Sequence, residues 1–89
     1  MIDISETDIQ HLLRPTIYKR AIEYFHAGKV LYYHEDEFGI QAVVEGANGN
    51  SYDVLIDHDD GVDIDLTCTC PYPGPCKHIG AVLLYSCNS

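Results

Sequence analysis

The stretch CTCPYPGPCKH, residues 68–78, decides how the rest of this chain is organised. It holds three of the four cysteines and one histidine, namely Cys68, Cys70, Cys76 and His78. Thiolate sulfur and imidazole nitrogen are the ligands of structural zinc sites, which take four of them in a closed tetrahedral shell. A catalytic zinc site keeps one position open for water, whereas this set fills all four. The stretch therefore predicts one structural Zn²⁺ held by these four side chains.

The spacing of the two ligand pairs predicts where each pair sits. Cys68 and Cys70 are two residues apart at the end of a strand-like run, residues 62–67. Side chains two apart in an extended segment share a face, so both thiolates can leave the strand together. Cys76 and His78 have the same spacing, but a helical pattern follows, and two helical positions differ by roughly 200° of rotation. We therefore expect Cys76 in the turn before a helix and His78 in its first turn.

The linker between the pairs, residues 71–75, contains three prolines and one glycine. It limits the freedom of the unfolded loop and lets the second pair fold back on the first.

Two alternatives to this ligand set remain open. A disulfide from Cys76 to either Cys68 or Cys70 leaves an odd thiol and gives His78 no role. Cys87 could replace His78 as the fourth ligand, but it lies nine residues later, beyond two turns of a helix. We expect Cys87 to be a spare, weakly buried thiol.

The first 28 residues predict a helical region. Ser5 is a candidate N-cap followed by acidic residues, and apolar residues recur at helical spacing on both sides of Pro15. The pattern indicates two consecutive helices, or one helix kinked at Pro15, ending at Gly28.

Residues 29–67 predict an antiparallel meander of three to four strands. Alternating apolar residues mark runs at 30–34, 40–45, 52–56 and 62–66. Turns are predicted at 35–39, at Asn48-Gly49 as a type I′ hairpin, and at 57–61. With the C-terminal helix this gives an α+β fold for one domain. Its parts are a helical region (1–28), the meander (29–67), and a zinc finger with its helix (68–86).

The predicted C-terminal helix, IGAVLLYS at residues 79–86, is apolar nearly all round. Such a helix is buried on every side. We expect a chain of 89 residues to be too short to cover it, so that the chain is a fragment of a longer protein or the helix meets a partner. The core of so short a chain is marginal, and a structural metal is the expected source of extra stability.

The charge of the chain bears on its partners. The formal net charge is −9, ten of the 14 acids fall between Glu35 and Asp65, and no Lys or Arg lies between Val30 and Cys76. Because phosphate contacts drive nucleic-acid affinity, this surface is unfavourable for DNA. A protein surface or a neighbouring domain is the expected partner ahead of nucleic acid. Four of the five bases form a small basic edge near the second helical segment: Arg14, Lys19, Arg20 and Lys29.

The expected location is the cytoplasm, with no membrane partner. No run approaches the roughly 18 apolar residues of a membrane span, and the N-terminus lacks the features of a signal peptide. Reduced, metal-binding cysteines are typical of the cytoplasm or nucleus.

The pattern CxC, five residues, CxH resembles the signature of the SWIM zinc finger family, with a match from roughly Tyr52 to Tyr85. A looser likeness concerns the segment that precedes the finger in bacterial proteins, where it lies N-terminal to a Swi/Snf-type helicase-like ATPase. The residues that carry it are Arg20, Tyr24, Gly28 and Val30.

The resemblance implies a zinc-binding module for DNA or protein–protein contacts, without catalysis of its own. It carries the ligand role onto Cys68, Cys70, Cys76 and His78 and assigns no nucleic-acid contact. We expect an interaction module that is accessory to a helicase-like ATPase. The alternative is a purely structural domain that stabilises a neighbouring one. A zinc or thiol enzyme is disfavoured because the ligand shell is filled and CxC is a poorer redox pair than CxxC.

Overall fold

The structure is a computed structural model of the 89-residue chain, and it describes residues 5–46, 49–59, 63–72 and 74–88. Its elements are, in order, α1 (Glu6–Leu12), α2 (Pro15–His26), β1 (Val30–Asp36), β2 (Gly39–Glu45), β3 (Ser51–Asp59), β4 (Asp63–Cys68) and α3 (Lys77–Asn88). The predicted α+β fold is confirmed. In the part of the chain that the structure describes, every helix is too short or too polar to cross a lipid bilayer.

Helix α1 begins at the predicted cap. The Ser5 hydroxyl accepts a hydrogen bond from the Asp8 N–H, and the Asp8 carboxylate accepts one from the Ser5 N–H. This reciprocal capping box satisfies two backbone donors at the helix start. The hydrogen bond from the Ser5 backbone holds the pKa of Asp8 below its usual value.

The helical region consists of two helices. Between them Leu13 and Arg14 have extended backbones, with ψ of 148° and 150°. Pro15 causes this break, because the residue before a proline is disfavoured in the helical conformation. Helix α2 ends at His26, and Gly28 follows with a φ of 72°, as expected for the residue that terminates a helix.

The four strands form one antiparallel sheet in the order β1-β2-β3-β4, which confirms the meander. Its inner face is apolar: Ile40 lies opposite Ile56 and Ala42 opposite Val54. The sheet thereby supplies one wall of the core.

Two predicted turns differ from the structure. Strand β1 continues to Asp36, whose carboxylate accepts hydrogen bonds from the N–H groups of Phe38 and Gly39 and so shortens the turn. The turn expected at 57–61 begins later, because β3 runs to Asp59, which pairs with Asp63. Residues 60–62 and Asn48 lie outside the described residues, so the hairpin type stays a prediction; Gly49 has a φ of 79°.

The expectation that 89 residues cannot cover the C-terminal helix is wrong. Helix α3 lies between two layers, with the sheet on one side and α1 and α2 on the other. Eight of its residues are buried: His78, Ile79, Gly80, Ala81, Val82, Leu83, Leu84 and Ser86. The chain covers this helix by itself because α2 packs closely against it along Gly80, where Ala21 and Leu13 approach. The burial of α3 therefore gives no reason to infer a partner or a longer chain.

Candidate metal centre

The first ligand pair is positioned by β3. Cys68 ends β4 and lies opposite Val54. Pairing continues one residue further, because the Thr69 N–H donates to the Asp53 carbonyl (3.1 Å) and the Asp53 N–H donates to the Thr69 hydroxyl (3.0 Å). These bonds hold Thr69 in line with the sheet, so Cys68 and Cys70 on either side of it lie toward the same face.

The second pair is positioned by the start of α3. Cys76 immediately precedes the helix and His78 is its second residue, as the spacing predicts. The Gly80 N–H donates to the Cys76 carbonyl (3.0 Å), which closes the first helical turn. The backbone N–H of Ile79, in the first turn of α3, helps to lower the pKa of the Cys76 thiol.

The structure brings all four predicted side chains together. One sulfur or ring nitrogen from each of Cys68, Cys70, Cys76 and His78 lies within 4.8 Å of every other. Cys76 and His78 are buried, and Cys68 and Cys70 are half-buried. Solvent therefore reaches the cluster at Cys68 and Cys70, whereas Cys76 and His78 are shielded from it.

The distances fit a zinc ion. The His78 Nδ1 is 3.6 Å from the Cys76 sulfur and 3.7 Å from the Cys68 sulfur. Tetrahedral zinc with bonds of about 2.3 Å to sulfur and about 2.0 Å to nitrogen separates the two ligand atoms by roughly 3.5 Å. The Cys₃His cluster is thus able to hold one zinc ion, with Nδ1 as the nitrogen nearest the sulfurs.

When no metal is bound, Cys76 loses its proton more readily than Cys68. A hydrogen bond from Cys68, together with contributions from His78 and the Ile79 N–H, lowers the pKa of Cys76. The same bond to Cys76, followed by burial, raises the pKa of Cys68. The cluster therefore favours a thiolate at Cys76, which is the state in which cysteine binds a metal.

Aromatic rings surround the imidazole. The ring of Tyr52 lies 4.6 Å from that of His78, centre to centre, and the ring of Tyr24 lies 5.6 Å away at a steep angle. The Lys77 Nζ lies 5.0 Å from the centre of the Tyr24 ring. The His78 Nε2 is buried without a hydrogen-bond partner among the described residues. Metal-bound histidines usually donate this second N–H to a carboxylate or carbonyl, so here ring packing holds the imidazole instead.

Among the described side chains, Cys87, His11, His26 and His34 are not part of the cluster. Cys87 is exposed and outside the four-residue set, in agreement with the expected spare thiol. His11, His26 and His34 are exposed, and the side chain of His58 lies outside the described residues.

Sequence reasoning gave no role in the site to Tyr52 or Lys77. Each is close to a ligand in the structure, but only the position of Lys77 beside His78 could have indicated this.

The sequence model of the SWIM zinc finger family matches residues 52–87. The matched segment runs from β3 through most of α3 and contains all four cluster residues, which confirms the SWIM resemblance over this part of the chain. The likeness of the preceding segment to helicase-like ATPases lies outside the match and stays a prediction. No curated protein and no solved structure matches the chain.

Proposed function

We propose that this zinc-binding module contacts a protein, and that it works beside a helicase-like ATPase. The observation that carries the proposal is the outer sheet face, defined by Tyr32, Val43, Asp53, Leu55, Asp57 and Asp65. These residues alternate with the buried ones along the strands. The face has no helix against it among the described residues, because all three helices lie on the inner side of the sheet.

This face combines apolar and acidic groups. Tyr32 is 52% exposed and Leu55 is 40% exposed, and Val43 lies opposite Tyr32 on the neighbouring strand. A shallow groove of about 300 Å³ runs between these side chains. Exposed apolar side chains rimmed by charge are typical of protein–protein contact sites.

The acids of this face favour a basic protein partner. Asp57 and Asp65 are both exposed and lie directly opposite each other on adjacent strands. Like charges in this arrangement destabilise a sheet, and a cationic group brought between them by a partner relieves the repulsion. The same charges oppose nucleic acid, whose binding depends on cations aligned with phosphates.

The chemistry of the cysteines supports two further parts of the proposal, the role without catalysis and the location in the cytoplasm. A Cys₃His set supplies all four ligands of a structural zinc and leaves no position for a catalytic water, which supports a role without catalysis. Reduced cysteines of this kind favour the cytoplasm. The helicase-like association is supported only by the likeness at Arg20, Tyr24, Gly28 and Val30. Among these four residues, the glycine at position 28 is explained by the fold, because its φ of 72° follows the end of α2 and favours glycine.

Photo-crosslinking in the cells that make the protein tests the proposal. A photoreactive amino acid at Leu55 places the label on the outer sheet face, and the same label at exposed His11 on α1 is the control. We expect polypeptide products from position 55 and not from position 11, with a helicase-like ATPase identified among them by mass spectrometry. Equal products from both positions, or products containing nucleic acid, contradict the proposal.

A titration of the zinc-loaded protein with duplex and single-stranded DNA at low salt tests the choice of partner class. The acidic face predicts no saturable binding at micromolar protein. Micromolar affinity that weakens as salt rises means that nucleic acid is the partner instead.

A further inference from the structure

A cleft opens beside the metal cluster, on the opposite side of the protein fold from the outer sheet face. Its volume is about 290 Å³, and Cys70, Cys76 and His78 form its inner wall. Beyond these ligands it extends to residues of α2, β3, the linker and α3, namely Ile17, Arg20, Tyr52, Pro71, Tyr72 and Lys77. A zinc ion would lie among the four ligand atoms, which are within 4.8 Å of one another, so it would fill only the part of the cleft next to them.

Two of the five basic residues of the chain line this cleft. Arg20 comes from α2 and Lys77 from the first turn of α3. Among the described residues neither has a carboxylate within 4.0 Å, although the chain contains 14 acids. Lys29, by contrast, pairs with Glu45 at 3.5 Å. Within the described part of the chain, no carboxylate therefore competes with an outside anion for these two cations, although the metal-binding thiols of Cys70 and Cys76 line the same cleft.

Apart from the two cations and the cluster residues, the lining of the cleft is apolar and aromatic. Ile17 and Pro71 contribute aliphatic surface, and Tyr72 is 41% exposed on the linker. Tyr24 lies under the Lys77 ammonium group and supports it at the rim. An occupant that fits these walls has an anionic group next to an apolar body.

We propose that this cleft is a second contact site, separate from the acidic outer sheet face, and that it binds a carboxylate-bearing segment of a protein partner; the proposal rests on the proposed protein-contact function. An aspartate or glutamate of the segment lies between Arg20 and Lys77, and an adjacent apolar side chain lies against Ile17 and Tyr72. Arginine gives such a carboxylate two parallel hydrogen bonds, and the lysine adds a third donor.

The size and the charge of the cleft favour a peptide over nucleic acid. Two cations suit one or two carboxylates, whereas a nucleic-acid strand needs a track of cations along successive phosphates. A cleft of about 290 Å³ takes one or two side chains. All four strands of the sheet carry acids, so the sheet repels a long polyanion more than a short peptide with few charges.

The test uses the zinc-loaded protein and a capped peptide, Gly-Asp-Leu-Asp-Phe-Gly, followed by backbone amide NMR shifts. The matched probe replaces both aspartates by asparagine and keeps the apolar groups. We expect saturable, millimolar or tighter binding of the acidic peptide, with shifts at Arg20, Tyr72 and Lys77. The asparagine peptide is expected to bind about tenfold more weakly or not at all.

Two variants locate the binding. Arg20→Gln is expected to weaken binding of the acidic peptide about tenfold, because a charge-assisted hydrogen bond is lost. Lys19→Gln removes a neighbouring exposed cation of α2 outside the cleft and is expected to leave the affinity unchanged. Both variants must keep one zinc per chain and the dispersed spectrum of the unaltered protein, which shows that the fold is intact.

The outcomes separate the cleft from the wider proposal. Absence of peptide binding, equal binding of the asparagine peptide, or equal effects of the two substitutions overturns the cleft assignment alone. A thymidine oligonucleotide that binds more tightly than the peptide, with Arg20-dependent shifts in the cleft, overturns both the cleft assignment and the protein-contact function. Arg20-dependent binding of the acidic peptide without oligonucleotide binding supports both.

Discussion

The rings of Tyr52 and His78 lie 4.6 Å apart, centre to centre, with their planes 32° from parallel. Tyr52 is the second residue of β3 and lies opposite Val44 of β2, and His78 lies in the first turn of α3. The contact therefore links the sheet to the helix that carries His78, at a point where the imidazole Nε2 has no hydrogen-bond partner among the described residues. Orientation of the ligand depends on this packing.

Replacing Tyr52 by leucine is expected to lower zinc affinity. Leucine fills part of the space but does not hold the imidazole plane, and loss of an outer-shell partner typically costs about tenfold or more in affinity. Competition with a chromophoric chelator measures the effect. Tyr32→Leu is the matched control, since Tyr32 is exposed on the outer sheet face. If the two variants bind zinc alike, ring packing does not position His78.

The identity of the ligands predicts opposite results for two cysteine substitutions. Cys76→Ser is expected to abolish stoichiometric zinc binding and to unfold the C-terminal third. Structural zinc contributes on the order of 10 kcal/mol, comparable with the whole stability of a small domain. Elemental analysis and circular dichroism measure both effects.

Cys87→Ser is the control for this experiment, because Cys87 is exposed and outside the cluster. It is expected to keep one zinc per chain and the native spectrum. Loss of zinc from Cys87→Ser means that the ligand set is wrong.

A side chain at position 80 would clash with the helical region packed against α3. A Cβ atom on Gly80 would lie 2.6 Å from the Ala21 Cβ and 2.7 Å from the Leu13 Cδ1. Alanine in place of glycine normally stabilises a helix by about 0.5–1 kcal/mol, but overpacking a tight core costs about 1–3 kcal/mol. Gly80→Ala is therefore expected to lower the free energy of unfolding, measured by urea denaturation of the zinc-loaded protein.

A second substitution checks the cause of that loss. Ala21→Gly removes one of the two clashing groups, so it is expected to cost less stability in the Gly80→Ala background than in the unaltered protein. An equal or greater cost in the Gly80→Ala background argues against close packing of α2 on α3 as the origin.

The local pattern of the sequence predicts most elements and the ligand set. Alternation gives the strands, Pro15 and Gly28 mark helix ends through their own backbone preferences, and the ligand spacing places Cys76 before α3. These features depend on residues near one another in the chain. Few residue types can end a helix or bind zinc, so each such position has few possible interpretations. The ends of the strands are harder to predict. Strand β3 continues through Asp57, although aspartate has a low strand propensity, because β4 pairs with it there.

The burial of α3 and the surroundings of His78 could not be predicted in the same way. An apolar helix is compatible with burial by its own chain or by a partner, and only the packing of α2 along Gly80 decides between them. Likewise, nothing in the spacing of Tyr24 or Tyr52 relates them to a histidine on another element. Both are tertiary contacts, and hydrophobic periodicity specifies a face without naming what lies against it.

Zinc binding is expected to release protons and to weaken on acidification. Without metal, the hydrogen bond from Cys68 lowers the pKa of Cys76 and the same bond raises the pKa of Cys68. Cys68 therefore keeps its proton until zinc displaces it, since the metal binds the thiolate. Raising the pH makes this displacement easier, and lowering the pH through the depressed pKa of Cys76 adds a second proton for zinc to displace. The affinity for zinc must consequently fall as the pH falls.

Isothermal titration calorimetry in two buffers of different ionisation enthalpy, at neutral pH, measures the protons released. It is expected to show at least one proton released per zinc in both the unaltered protein and Cys87→Ser. Zinc binding without proton release contradicts the shared-proton arrangement of Cys68 and Cys76.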